Sequence, residues 1–290
     1  MTRTERFALE AAYRALMAKS RRLASQLSRA AIRDIDAQVA AIGRDLRKLS
    51  MGSDVLSEAR AQVIMGRVRK GLARVEATWI ATATTTQARI IGGILAEHKL
   101  VHLEAARVVG LNGKGIAMKL NVVPSIVRPR ALKALKAGKG TLASIVKGHV
   151  GTAEQGFAAY LEDATGARTS AEALRGMQQL LRGELPFGLS GDVKRDVRPA
   201  ASLDWRVEQT ISTQSFAAYR ETNAEGLKAA PVQMVAEWLI SDRHEVPDEC
   251  DDLAAADVGY GPGMYPPEEW PDAPHPNCQC GQGDIQIVEA

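Results

Sequence analysis

The first proline of the chain is Pro124. Proline removes a helix hydrogen bond and clashes with the preceding turn, so a long stretch without it leaves helices uninterrupted. Within that stretch, apolar side chains fall at Ile32, Ile35, Val39, Ile42, Leu46 and Leu49, in alternating steps of three and four. This spacing repeats on one face of an α-helix, and Arg33, Asp36, Arg44, Arg47 and Lys48 lie off it. Met51-Gly-Ser-Asp breaks the pattern, and Ser53 or Asp54 can cap the next helix. That helix carries Leu56, Val63, Val68, Leu72 and Val75 at looser spacing. A third is predicted from about Thr84 to Val109, weakened by Gly92-Gly93. The heptad pattern is not sustained, so the stripes read as core packing rather than a coiled coil.

Gly110-Leu-Asn-Gly-Lys-Gly interrupts the helices. Gly115 follows Lys114 where a phosphate loop needs Ser or Thr, so the segment reads as a turn. Val122-Val-Pro-Ser-Ile-Val-Arg-Pro-Arg is predicted extended, because each proline disfavours helix in the residue before it. Residues 110–150 are thus expected to be partly irregular. Helix resumes over 152–185, ending at Gly183, and again from Trp205 to about Leu227. Val232, Met234, Ala236, Trp238 and Ile240 alternate with smaller or polar neighbours, as does Asp284-Ile-Gln-Ile-Val. These are two strand predictions, expected to share one small sheet. The fold class is therefore mainly α, with long N-terminal helices and a smaller C-terminal α+β module whose short sheet surrounds a Cys/His loop.

Charge divides the chain at about residue 151. Residues 1–150 hold 27 Lys and Arg against 10 Asp and Glu, and residues 151–290 hold 10 against 24. A basic helical region (1–150) and an acidic α+β module (151–290) are the expected domains. Between Glu104 and Glu154 every charged side chain is basic: Arg107, Lys114, Lys119, Arg128, Arg130, Lys133, Lys136, Lys139 and Lys147. Such a run offers a surface for a polyanion or an acidic protein, unless the acidic half neutralises it within the fold or between copies. No stretch has the apolar length of a membrane span. Met1-Thr-Arg-Thr-Glu-Arg has charges without an apolar core behind them, so it does not read as a secretory signal.

All three cysteines lie in the last 41 residues. The loop between the two predicted strands runs through His244-Glu-Val-Pro-Asp-Glu-Cys250 and Gly259-Tyr-Gly-Pro-Gly-Met-Tyr-Pro-Pro to Pro274-His275-Pro-Asn-Cys278-Gln-Cys280. It is too long and too rich in Pro and Gly to keep its shape by backbone pairing alone. Cys250, His275, Cys278 and Cys280 match in number and type the donors of a structural, tetrahedral Cys₃His zinc site. Two other readings stay open: a disulfide from Cys250 to Cys278 or Cys280, and thiols packed as small hydrophobes. Asp248, Glu249, Asp251 and Asp252 can hold a divalent ion, or form a solvated loop face. There is no dinucleotide fingerprint, phosphate loop or serine elbow, and no orienting acid follows His275 and Cys278 at a persuasive spacing, so no enzyme is expected.

Trp238, Asp248-x-Cys250, Gly259-Tyr-Gly-Pro-Gly-Met-Tyr-Pro and His275-Pro-Asn-Cys278-x-Cys280 follow one another in an order that resembles the C-terminal signature of the phage Mu protein F-like family. These are minor head, or head morphogenesis, proteins of tailed phages and prophages. The segment with Arg206, Ile211, Thr213 and Tyr219 resembles what precedes the signature. The resemblance covers roughly residues 190–282. Leu253 stands where many members carry a second cysteine, which leaves His275 as the needed fourth ligand, and Gln214 replaces the usual acidic residue. The resemblance implies a structural protein of the virion head, in the host cytoplasm during assembly. It would sit at or near the portal vertex, with portal and major capsid proteins as partners, aiding head assembly and DNA packaging or delivery. The basic region suits contact with genomic DNA without sequence specificity, and the alternative is a DNA-binding protein packaged and ejected with the genome.

Overall fold

A computed structural model describes residues 1–49, 52–111, 113–135, 140–242, 244, 246–276 and 278–288. The fold is mainly α, with a small antiparallel sheet near the C-terminus. Helix α1 spans Arg3–Arg47 and α2 spans Glu58–Val108. The predicted second and third helices are thus one helix, and Gly92-Gly93 lies inside it. At Gly93 a Cβ would come within 2.6 Å of Leu23 Cδ2, so glycine there serves the packing of α1 against α2 and does not end the helix.

By contacts the chain forms two compact units, and α1, α2 and α8 (Leu203–Lys228) contribute to both. The charge boundary at residue 151 falls inside α5 (Leu142–Ala164).

One unit contains residues 30–83 and 139–209. Ile35, Val39, Ile42 and Leu46 are buried, as are Val68, Leu72 and Val75; Val63 is exposed and Ile64 buried instead. At Gly71 a Cβ would lie inside the Ile42 side chain, whereas Gly66, on the same helix, faces open space. Gly71→Ala should therefore lose about 1–3 kcal/mol to overpacking, more than any gain in helix propensity. Gly66→Ala should gain up to about 1 kcal/mol. Urea denaturation of the two variants checks the opposite signs. In the same unit α5 packs on α7 (Gly191–Ala201), and Trp79 stacks on His149 with ring centroids 5.8 Å apart. Helix α6 (Ser170–Leu180) begins at a Thr169–Glu172 capping box. With Gly166 at φ +77°, that cap splits the expected helix over 152–185 into two.

The other unit contains residues 1–29, 84–138 and 210–290. Helices α3 (Lys114–Asn121) and α4 (Val123–Lys133) occupy the segment expected to be irregular or extended. The extended reading fails because Pro124 falls in the first turn of α4, where its missing N–H is not needed; Pro129 is then carried within the helix. Burial of Val123, Val127 and Ala131 on one face of α4 favours the helix despite it.

The sheet has the order β2-β1-β3, with β1 Met234–Leu239, β2 Met264–Tyr265 and β3 Gly281–Ile287. The two predicted strands do pair, antiparallel, with Ala236 opposite Ile285 and an irregularity between Ala236 and Trp238. One face of this sheet packs against α1 through Leu9, Tyr13, Leu16, Met17, Met234, Ala236, Ile285 and Ile287.

Beside that core lies a buried polar chain. Asn223 Nδ2 donates to the Tyr219 carbonyl at 3.1 Å, which turns Oδ1 toward His98 Nε2 at 3.0 Å. His98 must then donate from Nε2 and accept at Nδ1, so His102 donates from Nε2 across 3.2 Å. His102 Nδ1 has no hydrogen-bond partner among the described residues. Burial pulls His98 down to about 4 and His102, which also feels His98, down to about 2. Both rings are neutral at pH 7.

Candidate metal centre

The loop between β1 and β3 is shaped by its own short-range chemistry. Asp248 caps α9 (Glu249–Ala255): its carboxylate accepts from the Cys250 amide at 2.7 Å, and Asp251 accepts from the Asp248 amide at 2.8 Å. This box fixes Cys250 in the first turn, pointing inward. Asp257 Oδ1 then accepts from the amides of Gly259 and Gly261, closing the glycine-rich turn. Gly263, at φ +69°, has no room for a Cβ, which would stand 2.7 Å from the Ala254 carbonyl oxygen. That close approach delivers the chain into β2, where the Gly263 carbonyl accepts from Trp238 N at 2.7 Å.

Cys278 and Cys280 sit just before and at the entry to β3. Three successive carbonyls there accept from guanidinium groups: Cys278 and Cys280 from Arg220 Nη1, each at 2.9 Å, and Gln279 from Arg21 Nη2 at 3.4 Å. Trp238, Cys250, Tyr265, Cys278 and Cys280 form one buried cluster, with Trp270 packed against it. Trp270 stacks on Trp238, and the Tyr265 hydroxyl donates to the Leu253 carbonyl at 2.7 Å.

Cys250 is the hub of the sulfur set. Its Sγ lies 3.5 Å from Cys278 Sγ and 3.5 Å from His275 Nε2. Two ligatable groups share it: Cys250, His275 and Cys278, and His244, Cys250 and Cys280, each with donor atoms within 4.8 Å of one another. His244 is a further donor, outside the four expected from residue type and spacing. It lies six residues before Cys250 at the mouth of the same loop, and only the folded loop returns it to Cys280. A third group, His244, Asp248 and Asp251, lies at the solvent edge.

The electrostatics suit ligation. The hydrogen bond from Cys280, with the positive field of Arg220, holds the Cys278 thiol down at about 5 against the cost of its burial. Cys250 is pushed up by burial and by Cys278, and Cys280 by its hydrogen bond to Cys278 and by burial. The Ser241 amide donates to Cys280 Sγ at 3.3 Å. His275 Nδ1 donates to the Pro276 carbonyl at 2.9 Å, which turns Nε2 toward Cys250 Sγ at 3.5 Å and the Asp248 carboxylate at 3.0 Å; a metal on Nε2 would take the place of the proton it gives to Asp248. His244 is raised, chiefly by its 2.7 Å hydrogen bond to Asp251. This Cys/His cluster can hold a metal ion.

The predicted basic residues are distributed differently. Arg107 is on α2 and pairs with Glu104 at 2.5 Å; Lys114 and Lys119 are on α3; Arg128, Arg130 and Lys133 are on α4; and Lys147 is on α5, in the other unit. Arg130 is paired with Glu221 at 3.1 Å and Glu225 at 2.6 Å, and Lys133 with Asp272 at 3.5 Å. Part of the positive charge is thus met by acidic residues of the C-terminal half. Lys136 and Lys139 lie outside the described residues. No helix among the described residues is long and apolar enough to cross a membrane.

Comparison with protein-family models, curated proteins and solved structures finds no match for the chain.

Proposed function

We propose that the chain is a structural minor head protein of a tailed phage or prophage. It works at or near the portal vertex in head assembly and in DNA packaging or delivery, and a zinc ion pins its C-terminal loop. The observation that carries this reading is convergence. Residues far apart in the family-like signature, Trp238, Cys250, Tyr265, Cys278 and Cys280, meet in one buried cluster. A motif whose parts build a single knuckle is a structural device. All three sulfurs are buried, as ligands are, whereas a thiol nucleophile needs access to its substrate.

Zinc is the ion these donors favour. Tetrahedral zinc with sulfurs at about 2.3 Å places them roughly 3.8 Å apart, close to the Cys250–Cys278 separation. Cys250, Cys278 and Cys280 supply three ligands and His275 the fourth, with His244 as the donor that competes for that place.

Cross-linking within assembled particles tests the placement. Cross-links to portal and major capsid proteins are expected, with co-purification with portal at moderate salt. Cross-links to neither, together with turnover of a small molecule, would overturn it. The exposed Lys119, Arg128 and Lys147, which have no ion-pair partner among the described residues, favour one other reading, sequence-independent DNA binding. Filter binding separates the two, because a protein with many phosphate contacts loses affinity steeply between about 50 and 200 mM salt.

A further inference from the structure

Arg220 is 2% exposed, on α8, beneath the sulfur cluster. One of its terminal nitrogens donates to the carbonyls of Cys278 and Cys280; the other has no hydrogen-bond partner among the described residues. No carboxylate among the described residues forms an ion pair with it. Its backbone is held as firmly: Gln282 Nε2 donates to the Arg220 carbonyl at 3.0 Å, and the Tyr219 hydroxyl donates to the Gln282 carbonyl at 2.9 Å. A guanidinium cannot shed its proton, and a buried charge needs an opposite one. Carbonyl dipoles solvate Arg220 but do not neutralise it, and Glu221, the carboxylate that feels its charge, is itself paired with Arg130 at 3.1 Å.

We infer that Arg220 is the counter-charge of the metal centre, and that the centre is therefore a divalent ion on three thiolates with one net negative charge. The inference rests on the metal reading above and deepens it. Three thiolates, a neutral histidine and a 2+ ion sum to −1, which Arg220 cancels. A centre with two thiolates and two histidines would be neutral and would leave Arg220 uncompensated. The same guanidinium grips the two residues that carry two of the sulfurs, so charge and position are supplied by one side chain. Arginine fits because the two N–H bonds of Nη1 reach both carbonyls at once while the charge stays fixed. Arg21 shares only the positioning, through the Gln279 carbonyl.

The test uses the full chain, reduced, with Zn²⁺ affinity measured against a chromophoric chelator and with Co²⁺ as an optical probe of sulfur ligation. Arg220→Gln keeps amide donors for the carbonyls without the charge; Arg220→Lys keeps the charge without the fork. Expected are a loss of about 10–100-fold in Zn²⁺ affinity for Arg220→Gln and recovery of most of it in Arg220→Lys. The sulfur-to-cobalt absorption of Arg220→Gln should be weaker than that of the wild type, because one thiol stays protonated. Wild-type affinity in both variants, or recovery by Gln and not by Lys, would overturn the inference while leaving the metal site intact. A wild-type chain that takes up neither ion would overturn the metal reading itself. Arg220→Met, should it fold, must bind no more tightly than Arg220→Gln.

Discussion

Cys278→Ala is expected to dismantle the C-terminal loop, with a loss of at least about 3 kcal/mol, because the binding energy of a structural metal is folding energy for the segment it closes. For a chain of this size that is a fall in Tm of about 5 °C or more. The reason is geometric. The ends of the long loop are joined by the sheet, with Leu239 opposite Gly281, and β2 returns to β1; what ties α9 to that sheet, beyond short-range turns and caps, is the sulfur cluster under Trp238 and Trp270. The indole pair reports the change: its near-ultraviolet circular dichroism should collapse in the variant, and in the wild type treated with a strong chelator. Elemental analysis of the reduced wild type should find one zinc per chain. A variant with unchanged melting and intact indole signal would show that the thiols only pack.

Acidification is the second large effect. His98 and His102 are both depressed below their ordinary value by burial, to about 4 and about 2. In the unfolded chain they titrate near 6.5, so the unfolded state binds more protons as the pH falls. Their contribution to stability is fully present above pH 6.5 and is lost as the pH drops from there toward the folded values. At about 1.4 kcal/mol per unit and per group, pH 4.5 costs on the order of 3 kcal/mol through His98 alone and up to about 5 through both. This window lies above the one in which the depressed carboxylates, such as Glu172 and Asp251, lose their contribution. Four groups oppose the trend, among them Asp36 and Glu221, whose carboxyls burial raises and protonation relieves. Asp204, raised to about 6 by burial, is relieved by protonation, and His244 gains from it. Urea denaturation from pH 7 to 4.5 should show falling stability, and His98→Gln/His102→Gln should flatten that limb. A flat wild-type profile, or an equal slope in the double variant, would show that the pair is not responsible. Gly226 belongs to the same device, since a Cβ there would fall 2.5 Å from the His98 ring.

Much of this architecture was legible in local pattern. The Ile35–Leu46 stripe, the α8 segment and the pairing of β1 with β3 follow from periods of 3.6 and 2, which are properties of a few neighbouring residues. The donors Cys250, His275, Cys278 and Cys280 were legible as residue types in a loop that needed a pin. Proline and glycine misled where only tertiary packing decides their meaning. Pro129 is carried inside α4 because the buried face of that helix outweighs the lost bond, and Gly93 marks a helix contact rather than a helix end.

The sequence alone determined the long amphipathic helix of the first stripe, the two strands that pair and the side chains that offer metal-binding chemistry, because those depend on hydrophobic period and donor type. The tertiary structure alone decided that Arg220 reaches residues 58 and 60 positions away, that His98 meets Asn223 across 125, and that His244 joins the sulfurs. Such meetings depend on the path of the whole chain. What selects them is the cost of burying a charge or a polar ring without a partner, and that cost falls only on groups that folding has already taken out of water.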